Sequence, residues 1–118
     1  IKLMINKMPI KVVYIDDEKL LCQMFKEYLH SNEIDIMVFT DEERAIKYCN
    51  KHNPDLIFID YRLKKLNGVD VAKAITSDSI KTLITGELDV MMATCFDHKI
   101  EKPYRLAHLK DFIINATK

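Results

Sequence analysis

Two hydrophobic patterns alternate along this chain: short unbroken apolar runs, and stretches in which apolar residues recur every three or four positions. The first reads as strand and the second as amphipathic helix. Lys11 to Ile15 is β-branched and aromatic, which predicts a strand. Between Lys19 and His30, Leu21, Met24, Phe25, Tyr28 and Leu29 recur at helical spacing. Ile34 to Phe39 returns to strand composition. Thr40 with Glu43 has the form of a capping box, in which a hydroxyl and a carboxylate satisfy free amide donors at a helix start. Ala45, Ile46 and Cys49 supply that helix with a buried stripe, and Asn53-Pro54 stops it, because proline disfavours helix at the residue before it.

The third strand, ending at Asp60, has the interior Leu56-Ile57-Phe58-Ile59 with no polar alternation, as expected of a strand covered on both faces. After a loop carrying Gly68, a helix is predicted from Val69 to Ile75 and a fourth strand from Ile80 to Thr85. A short helix from Leu88 to Cys95, a short fifth strand from Lys99 to Glu101 and a final helix from Tyr104 to Ile114 complete the order. The reading is (βα)5: an α/β chain whose alternation implies a doubly wound parallel sheet with helices on both faces.

Composition changes this picture little. The chain has 118 residues, enough for one domain and one core, and its 18 basic and 18 acidic residues cancel. That balance gives no reason to expect nucleic acid or an anionic membrane as a partner. No apolar run approaches a membrane span, and Ile1 to Met8 lacks the features of a signal peptide. Cys22, Cys49 and Cys95 are too few and scattered for a disulfide framework or a zinc knuckle; two of them fall on apolar faces of predicted helices and read as buried thiols, and a reducing cytoplasm is expected. The domain is expected over residues 10–115, with residues 1–9 as an N-terminal extension that need not be native and Met8 as the expected natural start.

The candidate chemistry lies where the strands stop. Val12 to Ile15 runs into Asp16-Asp17, the third strand into Asp60, Leu83-Ile84 into Thr85, and Ile100-Glu101 into Lys102. Open parallel sheets bind ligands beyond the carboxyl ends of their strands. Carboxylates gathered there repel one another unless a cation offsets the repulsion, and Mg²⁺ prefers such oxygen ligands. Asp60, alone at its strand end, is the best nucleophile candidate for phosphoryl transfer, with Lys102 and Thr85 to cover phosphoryl oxygens. Gly86 keeps space open beside Thr85 for an incoming donor. Each residue also has a plainer reading: Asp16-Asp17 as a helix N-cap, Asp60 as a turn acid, Thr85 as a strand residue, Lys102-Pro103 as ordinary loop.

In combination these residues resemble the receiver domain of two-component response regulators, the family of the chemotaxis regulators. The resemblance spans about Ile10 to Ile114 and rests on Asp16-Asp17, Asp60, Gly68 eight residues later, Thr85-Gly86 and Lys102-Pro103. It implies a flavodoxin-like sheet of order 2-1-3-4-5 and a phosphoacceptor, Asp60, that takes its group from a histidine kinase or histidine phosphotransfer protein. It further implies Mg²⁺ held by Asp17 and Asp60 directly, by Asp16 through water and by the Arg62 backbone carbonyl, with Thr85 and Lys102 on the phosphoryl oxygens. A cis peptide before Pro103 is common in the family. So is an output face formed by the fourth helix, fifth strand and fifth helix, to which a downstream protein binds.

Departures from the pattern are equally specific. Leu63-Lys64 stand where the family often has Met-Pro. Lys99 stands three residues before Lys102, where an aromatic usually moves inward; Phe96 or His98 substitutes only in another register. The stretch from Thr85 to Lys102 is short, so the fourth helix is expected to be clipped or reshaped. Arg62 and Glu87, two residues after Asp60 and Thr85, flank the expected path of an attacking water; they are read either as a pair that slows hydrolysis or as a solvated surface pair. His30, His52, His98 and His108 lack ligand spacing and read as surface residues. The expected function is a regulatory switch that catalyses only its own phosphorylation and dephosphorylation. The alternatives are a pseudo-receiver that does not use phosphate and a Mg²⁺-dependent phosphohydrolase, which needs a second Asp where Arg62 stands.

Overall fold

The computed structural model describes residues 8–87 and 95–118. Its strands are β1 (Ile10–Ile15), β2 (Ile34–Phe39), β3 (Leu56–Asp60), β4 (Ile80–Thr85) and β5 (His98–Glu101). Its helices are α1 (Lys19–Leu29), α2 (Glu42–His52), α3 (Gly68–Ala74) and α4 (Leu106–Ala116), the last being the predicted final helix. All strand pairings are parallel, in the order β2-β1-β3-β4-β5. The sheet and its order match expectation. The predicted helix over Leu88–Cys95 falls, apart from Cys95, outside the described residues. Among the described residues no helix is long and apolar enough to cross a membrane.

Unbroken apolar strands fill two core layers because successive side chains leave opposite faces. Val12 and Tyr14 of β1 join Phe25 and Leu29 of α1 and Leu109 and Ile113 of α4 in one layer. Val13 and Ile15 join Ala45 and Cys49 of α2 and Val71 of α3 in the other. Every residue of β3 is buried, which is why its sequence shows no polar alternation.

The start of α2 corrects the expected capping box. The N-cap is Asp41, whose carboxylate accepts from Arg44 N at 3.1 Å. One residue nearer the helix than Thr40, Asp41 reaches the first-turn amides, and its charge suits the positive end of the helix dipole. At the other end Asn53 adopts the left-handed conformation (φ 52°) and its N–H bonds to Cys49 O, closing the helix before Pro54.

β1 lies between β2 and β3, so the chain reverses its direction of winding between β1 and β3. The carboxyl ends of those two strands carry Asp16-Asp17 and Asp60, at the crevice where this sheet type binds ligands.

Candidate functional site

Asp16, Asp17 and Asp60 come together at that crevice, with carboxylate oxygens within 4.8 Å of one another. Asp16 and Asp60 are buried and Asp17 is half-buried. Asp16 and Asp17 are not the cap of α1. The N-cap is Glu18, which makes no side-chain cap bond, and Asp16 Oδ1 instead accepts from Glu18 N at 3.0 Å.

Lys102 reaches in from the end of β5. Its Nζ lies 3.1 Å from Asp60 Oδ1 and 3.8 Å from Asp16 Oδ2. Its own N–H donates to Thr85 O at 2.9 Å, which ties the β5 end to the β4 end, and the Lys102-Pro103 peptide is cis as expected. Thr85 is buried and its hydroxyl accepts from Glu87 N at 3.0 Å. The cleft above these groups, about 360 Å³, is lined by Asp17, Asp60, Arg62, Thr85, Glu87 and Lys102 among others. Arg62 Nη2 and Glu87 Oε1 form an ion pair at its rim, so the two residues singled out in sequence do meet.

The electrostatics are those of an acid cluster short of positive charge. Burial first, and then the neighbouring Asp16, push the Asp60 carboxyl up to about 6 against the opposing pull of Lys102. Burial likewise raises Asp16. Burial alone would lower the Lys102 ammonium, but its hydrogen bond to Asp60 and the adjoining carboxylates hold it above the usual range. Among the described residues, Lys102 thus pairs with Asp16 and Asp60 of the three clustered carboxyl groups. An all-oxygen donor set with surplus negative charge fits a small divalent cation such as Mg²⁺. Arg62, the expected backbone ligand, directly follows Tyr61 after β3, and its backbone bridges antiparallel to Asn67.

Gly68 is required by close approach. A Cβ there would lie 2.7 Å from Asp60 O, so α3 can start against the end of β3 only if this residue has no side chain. Gly86 is less constrained, since an added Cβ would meet Lys102 Cβ at an ordinary 3.7 Å. The pairing of β4 with β5 leaves Lys99 opposite Leu83 and keeps the ungapped register. Neither proposed substitute takes the aromatic position: His98 turns edge-on to Phe112, and Phe96 is buried ahead of the strand in the core layer of Leu83. His98 is therefore half-buried rather than a surface residue, whereas His30, His52 and His108 are exposed.

Sequence reasoning missed two features. Glu42 is buried and its carboxylate accepts from the N–H groups of Lys65 and Leu66, tying α2 to the loop between β3 and α3. Burial alone would raise it, yet the backbone amides of Leu66 and Lys65 hold it below the usual carboxylate range. This clamp acts on the loop that carries Leu63-Lys64. The other is Tyr14, fully buried, whose hydroxyl donates to Asp16 Oδ2 at 2.9 Å and lies 2.7 Å from the Tyr104 hydroxyl. Its place two residues before Asp16, on the same face of β1, was a usable signal for the first contact.

Comparison with known proteins agrees with this geometry. The profile of the response regulator receiver domain family matches residues 12–113. The alkaline phosphatase synthesis transcriptional regulatory protein PhoP of Bacillus subtilis is 27% identical over 92 residues, covering 78% of this chain and 36% of that protein. The transcriptional regulatory protein TrcR of Mycobacterium tuberculosis is 28% identical over 109 residues, covering 86% of this chain and 42% of that protein. The chain thus spans less than half the length of these relatives. Among solved structures, a CheY-like receiver domain from Methylobacillus flagellatus superposes with a TM-score of 0.81 at 19% identity, over 92% of this chain and 98% of that one. The receiver domain of the Francisella response regulator 1452 gives 0.78 at 24% identity, over 91% and 95%. Those two likenesses bear on the fold alone.

Proposed function

The chain belongs to the response regulator receiver domain family, and from that premise we propose that it is a switch phosphorylated on Asp60 by a histidine kinase or histidine phosphotransfer protein. The observation that carries this reading is Lys102 Nζ at 3.1 Å from Asp60 Oδ1, inside a cluster of three carboxylates.

Asp60 holds one carboxylate oxygen toward Lys102 and has a second with which to attack phosphorus. In the transfer, that oxygen forms the new P–O bond as the donor's P–N bond breaks. The departing imidazole nitrogen keeps the electron pair and is protonated. Lys102 is placed to move from the carboxylate to a phosphoryl oxygen. The Thr85 hydroxyl accepts from Glu87 N, so its single hydrogen is not used in that bond and can be donated to a second phosphoryl oxygen. Mg²⁺, when bound, would neutralise charge shared by the phosphoryl oxygens and the acid cluster. Asp17, Asp60 and the Arg62 carbonyl are the residues to hold it, with Asp16 acting through water. Reversal by water would return Asp60 to its resting state, so the chain regulates through its own modification rather than by acting on an external substrate.

The receiver unit would comprise residues 10–115, with a downstream protein bound at the face that includes β5 and α4. The phosphohydrolase alternative lacks its general acid, because Arg62 occupies that place and forms an ion pair with Glu87.

Incubation with Mg²⁺ and acetyl phosphate, followed by mass spectrometry, tests the proposal. One labile phosphoryl group is expected, absent in Asp60→Asn. Continuous turnover of the donor would point to a hydrolase. No incorporation would point to a pseudo-receiver.

A further inference from the structure

We propose that Tyr14 and Tyr104 are positioning residues for Asp16, acting through a chain of hydroxyl groups that runs from the β5–α4 turn into the acid cluster; this rests on reading that cluster as a cation-dependent phosphoacceptor site. Tyr14 occupies a fully buried core position of β1. Burying its phenol demands a hydrogen-bond partner. It has two, Asp16 Oδ2 at 2.9 Å and the Tyr104 hydroxyl at 2.7 Å.

The direction of the chain follows from counting hydrogens. An ionised carboxylate only accepts, so Tyr14 spends its one hydrogen on Asp16. Tyr104 must then donate to Tyr14. The order is Tyr104 to Tyr14 to Asp16, each bond polarising the next toward the carboxylate.

Both oxygens of Asp16 are thereby tied: Oδ1 by Glu18 N at 3.0 Å and Oδ2 by Tyr14. The plane of the carboxylate is set, with lone pairs left for a metal-bound water. The Tyr14 ring cannot swing away, because it stacks on Phe25 with centroids 4.0 Å apart and planes 18° from parallel. Tyr104 follows Lys102-Pro103, so one short turn supplies both the ammonium facing Asp60 and the hydroxyl that begins the chain. Tyr104 itself is half-buried and lines a groove between α1 and α4 with Met24, Tyr28 and Leu106. The chain of hydroxyls thus joins the acid cluster to the surface.

Mg²⁺ titrations of the full chain by calorimetry test this, with Tyr14→Phe, Tyr104→Phe and the exposed Tyr28→Phe as control. Phenylalanine keeps each ring and removes only the hydroxyl. Outer-shell partners that bond a metal ligand directly typically contribute about 10–100-fold in affinity, and Tyr14 acts further out, through Asp16 and its water. Tyr14→Phe is expected to weaken Mg²⁺ binding about threefold, Tyr104→Phe by less, and Tyr28→Phe not at all. With tyrosine rings isotope-labelled, the Tyr104 NMR signal should move on Mg²⁺ addition in the native chain and stay still in Tyr14→Phe. Native Mg²⁺ affinity in both variants would overturn the proposal, whatever their thermal stability, because the hydroxyls would then serve packing alone. A native chain that binds no Mg²⁺ would overturn the reading of the site as well, a distinct result.

Discussion

At the scale of single residues, position rather than type decides what a charged group does. Arg62 and Glu87 pair at the cleft rim, with the Arg62 side chain 78% exposed. Such a pair contributes at most about 1 kcal/mol to stability. Its consequence is expected in kinetics: both residues line the cleft that holds Asp60, and the pair is expected to hinder the approach of water. Arg62→Ala and Glu87→Ala should each shorten the acyl-phosphate lifetime severalfold, and the double variant little more than either single, because both remove one interaction. Lifetimes equal to the native value in both variants would remove the pair from the mechanism. The thermal midpoint should barely move. The buried thiols behave differently: burial pushes both Cys22 and Cys49 up to about 12, the mark of packed and unreactive groups.

At the scale of elements, the loop from β3 to α3 is held at two points. Gly68 lets α3 start against the Asp60 backbone, and Glu42 holds the amides of Lys65 and Leu66 from across the α2 start. A proline would stiffen this loop by restricting the chain; Glu42 stiffens it by hydrogen bonds. Glu42→Ala leaves those amides without their acceptor and should cost about 1–3 kcal/mol. It should also slow phosphorylation by acetyl phosphate, since Arg62 lies in the loop. Gly68→Ala should slow it further by pressing on the Asp60 carbonyl. Urea unfolding together with phosphorylation rates would show this; full activity in Glu42→Ala would mean the clamp serves stability alone.

For the whole molecule, the acid cluster is expected to make folding stability depend on pH. The Asp60 carboxyl, raised to about 6 by burial first and then by Asp16, binds its proton more tightly in the folded chain than in the unfolded one. A raised carboxyl contributes stability at low pH that is lost as pH climbs through its folded value. Asp16 shifts the same way, whereas Glu42 shifts down and loses its contribution only when pH falls below the usual carboxylate range. The metal-free protein is therefore expected to be more stable near pH 5 than at pH 7.5, by on the order of 2 kcal/mol. Asp60→Asn should remove most of that difference and stabilise the metal-free chain at pH 7.5. Saturating Mg²⁺ should reverse the trend, because the ligands bind it ionised. Denaturation midpoints at both pH values, with and without Mg²⁺, check the sign; a metal-free chain equally stable at both would refute it.

The sequence by itself determined the order of elements, the parallel sheet and the residues of the acid cluster. Hydrophobic period is a local property, and parallel topology sends every strand's carboxyl end to one edge, so Asp16, Asp17, Asp60, Thr85 and Lys102 had to meet there. It also marked Arg62 and Glu87, because each lies a fixed two residues beyond a strand end. Only the tertiary structure decided that Asp41 rather than Thr40 caps α2, that Glu42 clamps the loop 23 and 24 residues away, and that Tyr14 meets Tyr104 across 90 residues. Side-chain hydrogen bonds over such separations leave no periodic trace, since they depend on which rotamers the packed layers permit.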